Sequence, residues 1–235
     1  MSRIILDCEQ RSPAWFAARA GKLTASVAHV PGMSGRKKGS PSETRALLAF
    51  SLANERLTHA PVGDSFSNAD TERGNALEAE ALAAYEARTG YLLSPVGFVH
   101  LSDLPMGCSP DGAVLDGETF GGGVDVKCPK LNTFKKYMDD PAELVAEYEY
   151  QIAHTLLVTG APWWDVCAYR ADLAPALRLV IVRIVPAGPV PEGLSLPAVT
   201  LTKAVDLTAY KLVAEQFLRE VDDLEAAMRQ RAEAA

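Results

Sequence analysis

The 235 residues are 48% hydrophobic, 23% charged and 7% aromatic, a globular composition long enough to bury a sizeable core, which excludes disorder, collagen and coiled coil. The net charge of −7, from 30 acidic against 23 basic residues, argues against holding nucleic acid by uniform surface attraction but leaves room for a local basic groove. No shift in composition forces a split, so residues 1–235 are expected to form a single domain. The N-terminus lacks the apolar core of a signal peptide and no run reaches the roughly 18 apolar residues of a membrane span, which predicts a soluble cytoplasmic protein.

In chain order, Pro13 opens a short helix carrying Trp15, Phe16 and Arg19. After a turn at Gly21, a second helix is expected, capped by Thr24 or Ser26. Residues Val30 to Pro41 have the Gly, Ser and Pro punctuation of a loop, and within them stand Arg36, Lys37 and Lys38. Leu47, Leu48, Leu52 and Leu57 recur at helical spacing between Ser42 and Thr58. The run Asn75 to Arg88 is alanine-rich and predicts a helix capped by Gly90, with Ala81, Leu82 and Tyr85 on its apolar stripe. Glu78 shares that face. A carboxylate directed inward needs a cation or several donors, and Arg73 or Arg88 are the available alternatives to a metal.

Five β-like runs follow: Val96 to Leu101, Gly112 to Leu115, Val124 to Cys128, Trp164 to Tyr169 and Leu177 to Val185. A helical run at Ala142 to Val158 separates the third from the fourth. A proline-punctuated loop, Pro186 to Pro197, precedes an amphipathic helix over Leu207 to Met228. Together these predict an α/β fold with a central mixed sheet flanked by helices. The four cysteines, Cys8, Cys108, Cys128 and Cys167, have no zinc-site spacing and read as free thiols. The four histidines have no shared spacing, and Trp163-Trp164 reads as core or interface before base stacking.

The chemistry concentrates around the third strand. In Val124-Asp125-Val126-Lys127-Cys128 the side chains alternate, so Asp125 and Lys127 share one surface. Upstream, Ser109-Pro110-Asp111-Gly112 is a turn opening a strand. A hairpin closed through Gly121-Gly122-Gly123 would bring Asp111 beside Asp125. Two adjacent carboxylates repel unless a divalent cation lies between them, and magnesium, an oxygen-ligated ion, suits such a site. Glu78 can add a further carboxylate and Lys127 can orient an attacking water, which is equipment for phosphodiester hydrolysis. Alternatively, Asp111 is a plain turn residue and Asp125 with Lys127 a solvated strand face.

Five ordered blocks resemble the phage lambda-type exonucleases, also called alkaline exonucleases or YqaJ-like viral recombinases, of the PD-(D/E)XK nuclease superfamily. They are Trp15-x3-Arg19-x-Gly21-x2-Thr24-Ala25-Ser26; Gly74-x3-Glu78 with Tyr85 and Thr89-Gly90; Cys108-Ser109-Pro110-Asp111-Gly112; Asp125-x-Lys127-Cys128-Pro129; and Tyr148-x2-Gln151 with Thr159 and Trp163. The resemblance implies a restriction-endonuclease-like core. Asp111, Asp125 and the Val126 carbonyl would be metal ligands, with Glu78 at a second magnesium and manganese able to substitute. Lys127 would be the catalytic lysine, with Gln151 and Tyr148 lining the site from their helix. Arg19 and Ser26 would receive a 5′-terminal phosphate; read alone, they are a surface ion pair and an ordinary N-cap. Asp125 stands where relatives often carry glutamate.

The family digests one strand of duplex DNA from a 5′ end as a ring-shaped trimer, leaving a 3′ overhang for a single-strand annealing protein. The same is expected here, in a bacterial or phage-infected cell. A ring would reconcile an acidic exterior with a basic lumen lined by Arg36 to Lys38 and by Lys135 and Lys136; the first of these segments also reads as a solvated loop tip. The alternatives are an endonuclease of the same superfamily, and a DNA-end-binding module that recruits an annealing protein.

Overall fold

A computed structural model describes residues 2–36, 40–62, 69–188 and 198–234, with side chains in the stretch 69–75 excepted. Lys37, Lys38, the side chains of Arg73 and Gly74, and most of the loop before the last strand lie outside the described residues. The chain divides into two compact units, one of Met1–Asp64, Gly97–Ser109 and Thr208–Ala235, the other of Ser65–Val96 and Pro110–Leu207.

The first unit holds a four-stranded mixed sheet of order β1-β3-β4-β2, built from Arg3–Leu6 (β1), Leu23–Thr24 (β2), Phe98–Leu101 (β3) and Met106–Cys108 (β4). Three of these strands were not expected, because at two to four residues they are too short to show a period. The expected second helix is absent. The Leu23 N–H is taken by the Pro105 carbonyl at 2.8 Å, which draws Leu23–Thr24 into the sheet parallel to β4. Only the three-residue 3-10 turn Ala25–Val27 follows, and neither Thr24 nor Ser26 caps a helix.

Helix α1 (Pro13–Arg19) starts as expected, with the Ser12 hydroxyl accepting the Trp15 N–H and proline at its first position. Helix α2 (Glu43–Thr58) is capped by Ser42 in the same way. Its buried face is Ala49, Leu52 and Ala53, whereas Leu47 is 63% exposed. The C-terminal helix α6 (Leu207–Glu233) buries Tyr210, Ala214, Phe217, Leu218 and Val221 but leaves Val213 exposed. Ion pairs join it to α2, with Arg45 on Glu220 at 2.5 Å and Arg56 on Asp222 at 2.6 Å.

The second unit holds a mixed sheet of order β5-β6-β7-β8-β9; four of the five expected runs form it, the fifth, Val96 to Leu101, having gone to the first sheet as β3, and β9 was not expected. Its strands are Gly112–Asp116 (β5), Thr119–Lys127 (β6), Trp164–Tyr169 (β7), Leu179–Pro186 (β8) and Leu201–Val205 (β9). The β5/β6 hairpin turns at Gly117-Glu118, not at the three glycines, which lie inside β6. Those glycines serve close approach instead. A Cβ on Gly122 would stand 2.1 Å from the Trp163 ring and one on Gly123 2.4 Å from Trp164, so only hydrogen fits beneath the two indoles.

Helix α3 (Ala69–Thr89) is capped at Gly90. It packs Ala81 and Tyr85 against Val124, Val126, Cys167, Tyr169 and Ile181 on one sheet face. Between β6 and β7 run α4 (Leu131–Asp139), which was not expected because its nine residues bury only one apolar pair, Phe134 and Tyr137, and α5 (Pro141–Thr159). In the core, Asp165 and Arg183 are paired across β7 and β8 and both fully buried. Arg183 grips both carboxylate oxygens at 2.8 Å and lies 3.8 Å over the Trp163 ring. The Tyr85 hydroxyl donates to the same carboxylate at 2.7 Å. No helix of the described residues is long and apolar enough to cross a membrane.

Removing one member of a buried ion pair strands the other charge. Arg183→Met should therefore lower stability by about 3–5 kcal/mol, read as the urea unfolding midpoint, whereas Tyr85→Phe should cost about 1 kcal/mol.

Candidate active site

The hairpin register dictates the first contact. Gly112 is opposite Val124, so Asp111, in the bend that opens β5, comes beside Asp125, the residue after Val124 on β6. The Asp111 Oδ2 accepts the Val126 N–H at 2.8 Å, which fixes its carboxylate against β6. Asp125 is 3% exposed and its Oδ2 is buried with no hydrogen-bond partner. Trp164, on the neighbouring strand, lowers the proton affinity of Asp125, yet its Nε1 closes no hydrogen bond either.

Burial first, then the Asp125 and Glu78 charges, push the Asp111 pKa up to about 7 against the opposing pull of Lys127 and the Val126 N–H. Burial likewise raises Asp125, with Lys127 as the strongest opposing influence. The pair therefore resists holding two negative charges unaided. An oxygen-only donor set with a buried, unpartnered carboxylate oxygen fits a hard divalent cation.

Lys127, two residues on, shares the Asp125 face and places its Nζ 5.0 Å from the centre of the Tyr148 ring on α5. Tyr148 is held in turn among α4 and α5 side chains, where the Tyr137 hydroxyl donates to Glu147 at 2.6 Å. Burial raises the Tyr148 phenol far above its ordinary pKa, so it stays a neutral ring under the ammonium. Gln151 lies one turn further along α5 on the same side and is half-buried. Glu78 is half-buried on α3 and acts on both aspartates through its charge. It does not close a ligating triad with them: among the described residues no group of three His, Cys, Asp or Glu side chains does so. Arg88, one of its expected alternative partners, faces the carbonyls of Pro175 and Ala176 instead.

Arg19 and Ser26 belong to the other unit, where they line one cavity of about 190 Å3. Arg19 is no surface ion pair. Its guanidinium lies 4.0 Å over the Trp15 ring, one turn earlier on α1, and donates to Ser109 Oγ at 3.4 Å and Thr24 Oγ1 at 3.5 Å. The Trp15 indole N–H holds the same Ser109 hydroxyl at 2.7 Å. The sequence reading assigned no site role to Trp164, Ser109, Thr24 or Lys22. Only the i,i+4 spacing of Trp15 and Arg19 was legible as a contact.

The basic stripe is not free charge. Lys135 is paired with Asp139, and Lys136 with Glu143 at 2.7 Å. Arg36 is exposed, and Lys37 and Lys38 lie outside the described residues.

Residues 14–162 match the family profile of the YqaJ-like viral recombinase domain. The chain belongs to that family. The fold agrees with the alkaline exonuclease LHK-Exo from Laribacter hongkongensis, 27% identical over 95% of this chain and 100% of that one, with a TM-score of 0.72. LHK-Exo in complex with dAMP aligns with a TM-score of 0.73, at 26% identity and the same coverage. A phage-related exonuclease from Haemophilus somnus 129PT shares the fold at 12% identity, with a TM-score of 0.63 over 90% of this chain and 96% of that one. No curated protein gives a significant match. Family and fold place the chain among DNA-binding nucleases of recombination, on an α/β scaffold of the PD-(D/E)XK type.

Because the folded state favours protonated Asp111, this residue stabilises the metal-free protein at low pH. That contribution is lost as pH rises from about 4 through about 7. Asp111→Asn keeps an acceptor for the Val126 N–H and removes the charge. In EDTA, its melting temperature should gain on that of the unmutated protein as pH rises from 4 to 8; a constant difference would contradict the assignment.

Proposed function

We propose that the protein is a magnesium-dependent exonuclease that degrades one strand of duplex DNA in the 5′→3′ direction from 5′-phosphorylated ends. The observation that carries this reading is the buried Asp111–Asp125 pair, one oxygen of which has no hydrogen-bond partner, with Lys127 on the same strand face. The two units, both crossed by the family match, are read as one functional domain.

Asp111, Asp125 and the Val126 carbonyl would hold one metal ion, and Glu78 would face a second. Bound there, the metal supplies Lewis-acid polarisation of the scissile phosphate and a more acidic water. Lys127, steadied over Tyr148, orients the attacking water and offsets the charge that grows on the phosphoryl oxygens. Gln151, on the same side of α5, positions the substrate backbone. Arg19 and Ser26 receive the terminal phosphate, with Trp15 and Ser109 holding the guanidinium fork in place. The dAMP in the LHK-Exo complex is the kind of mononucleotide such a reaction releases. The 3′ overhang would pass to a single-strand annealing protein, and a homotrimeric ring would enclose the duplex. Manganese would substitute for magnesium.

The decisive experiment compares linear duplexes bearing a 5′-phosphate or a 5′-hydroxyl, labelled at either end, with a covalently closed circle, in magnesium and in EDTA. Magnesium-dependent loss from 5′-phosphorylated ends with an intact circle is expected. Cutting of the circle would indicate an endonuclease, and no cutting an end-binding module. Lys127→Ala should lower kcat by about 10²–10⁴-fold, and Asp111→Ala should abolish turnover while far-UV circular dichroism is unchanged; normal turnover in Asp111→Ala would defeat the reading.

A further inference from the structure

The cavity that holds Arg19 carries a second cation, to which neither the motif nor the family resemblance gives a role. Lys22 lines it together with Arg19, Thr24, Ser26 and Glu55. Its ammonium donates to the Ala18 carbonyl at 2.8 Å, at the end of α1. Arg19 rests on two hydroxyls and an indole face. Among the described residues, then, both cations are satisfied by neutral groups and neither forms an ion pair. The carboxylate of the lining, Glu55, pairs with neither and accepts backbone amides, the Gly21 N–H at 2.7 Å and the Val62 N–H at 3.0 Å, while its charge still favours the Arg19 guanidinium. Arg56 contributes no free charge here, since Asp222 at 2.6 Å and Glu225 at 3.5 Å neutralise it.

The spacing of the two cations is set by a rigid turn. Gly21 has φ of +70°, and a Cβ on it would stand 2.5 Å from Arg56 Cγ. Its peptide groups are gripped from both sides, the N–H by Glu55 and the carbonyl by Arg56 Nε at 3.0 Å. Arg19 and Lys22 thus flank one clamped turn and both line this cavity, Lys22 bordering a second one beside His100 and Asp103 as well. Burial, with the nearby Arg56 charge, pushes the Lys22 ammonium below its ordinary pKa, as expected of a cation lacking an anion.

We propose that Lys22 is the second cation of the end-binding pocket and, with Arg19, makes it selective for a dianionic phosphate monoester over a hydroxyl or an internal diester. This rests on the reading of the pocket as the seat of the 5′-terminal phosphate. A terminal phosphate carries about 1.5–2 negative charges near neutrality, which two cations match, whereas an internal diester carries a single charge. The parts are complementary: the arginine fork fixes the orientation, and the lysine, a point charge on a flexible stem, swings from the Ala18 carbonyl to a phosphate oxygen.

The test measures kcat and KM with magnesium on duplexes ending in 5′-phosphate or 5′-hydroxyl, for the unmutated protein, Lys22→Met and Lys22→Arg. The phosphate-over-hydroxyl preference should fall about tenfold in Lys22→Met, the loss of one charge-assisted hydrogen bond, and should persist in Lys22→Arg. A residue that only capped α1 would change thermal stability and both rates together, leaving the preference intact. An unchanged preference in Lys22→Met, beside a phosphate-preferring unmutated protein, would overturn the role of Lys22 and leave the pocket reading standing. An unmutated protein with no preference would overturn both. If Lys22→Met does not fold, lysine acetylation of the unmutated protein in EDTA decides: a 5′-phosphorylated duplex should protect Lys22 and a 5′-hydroxyl duplex should not, and equal labelling would refute the proposal.

Discussion

Two carboxylates brought side by side where a bend meets a strand, and shielded from water, resist ionising together without a cation. Asp111 and Asp125 meet because the bend before β5 runs on from the Gly112–Val124 pair, alongside the β6 residue that carries the second carboxylate. Val126 spends its N–H on Asp111, while Asp125 keeps a buried oxygen without a hydrogen bond. Much of the second unit supports this arrangement. Glycines in β6 admit Trp163 and Trp164 at van der Waals contact, Trp164 closes over Asp125, and α5 brings Tyr148 beneath the Lys127 ammonium. The site costs stability in its metal-free form, a familiar consequence of arranging charge for chemistry before it for packing.

The core beside it is ordered by the opposite device, a charge pair that is fully matched. Asp165 and Arg183 exchange two hydrogen bonds, Tyr85 adds a third, and Trp163 covers the guanidinium. Tyr85 lies two turns beyond Glu78 on α3. Its bond to Asp165, with that of Tyr169 to Glu80 at 2.6 Å, anchors the helix that presents Glu78. The first unit solves a different problem, holding two cations that form no ion pair among the described residues. Its hydroxyls, an indole face and a helix-end carbonyl satisfy Arg19 and Lys22 without neutralising them, which leaves their charge for an anion.

Long elements with clean periods were legible. The Asn75–Arg88 run lies within α3, the Ala142–Val158 run within α5, and Trp164–Tyr169 matches β7 to the residue. Short elements were not: β1, β2 and β4 span two to four residues, β9 is five residues of mostly exposed chain after a proline-punctuated loop, and α4 shows only the brief Phe134–Tyr137 stripe. The second helix failed because Thr24 and Ser26 satisfy local capping rules, while the long-range bond from Leu23 to Pro105 commits the backbone to a strand. In the candidate site, alternation along Val124–Cys128 was enough to put Asp125 and Lys127 on one face, and the turn signals were enough to suggest Asp111 opposite. They were not enough to locate the turn, since glycine marks both bends and tight packing.

By itself the sequence determined which residue types stand at which spacing: an acid and a lysine two apart on a strand, an upstream aspartate in a turn, and an arginine one helical turn after a tryptophan. Each is a local matter of side-chain direction, repeating every two or every 3.6 residues. Tertiary structure alone decided burial and partnership. It shielded Asp111 and buried Asp125 enough to raise their proton affinity, set Glu55 on backbone amides, paired Lys135 and Lys136 with acids, and left Arg19 and Lys22 in no ion pair among the described residues. Those outcomes depend on which segments distant in the chain come to lie within a few ångströms, and charge and desolvation act over that distance regardless of sequence separation.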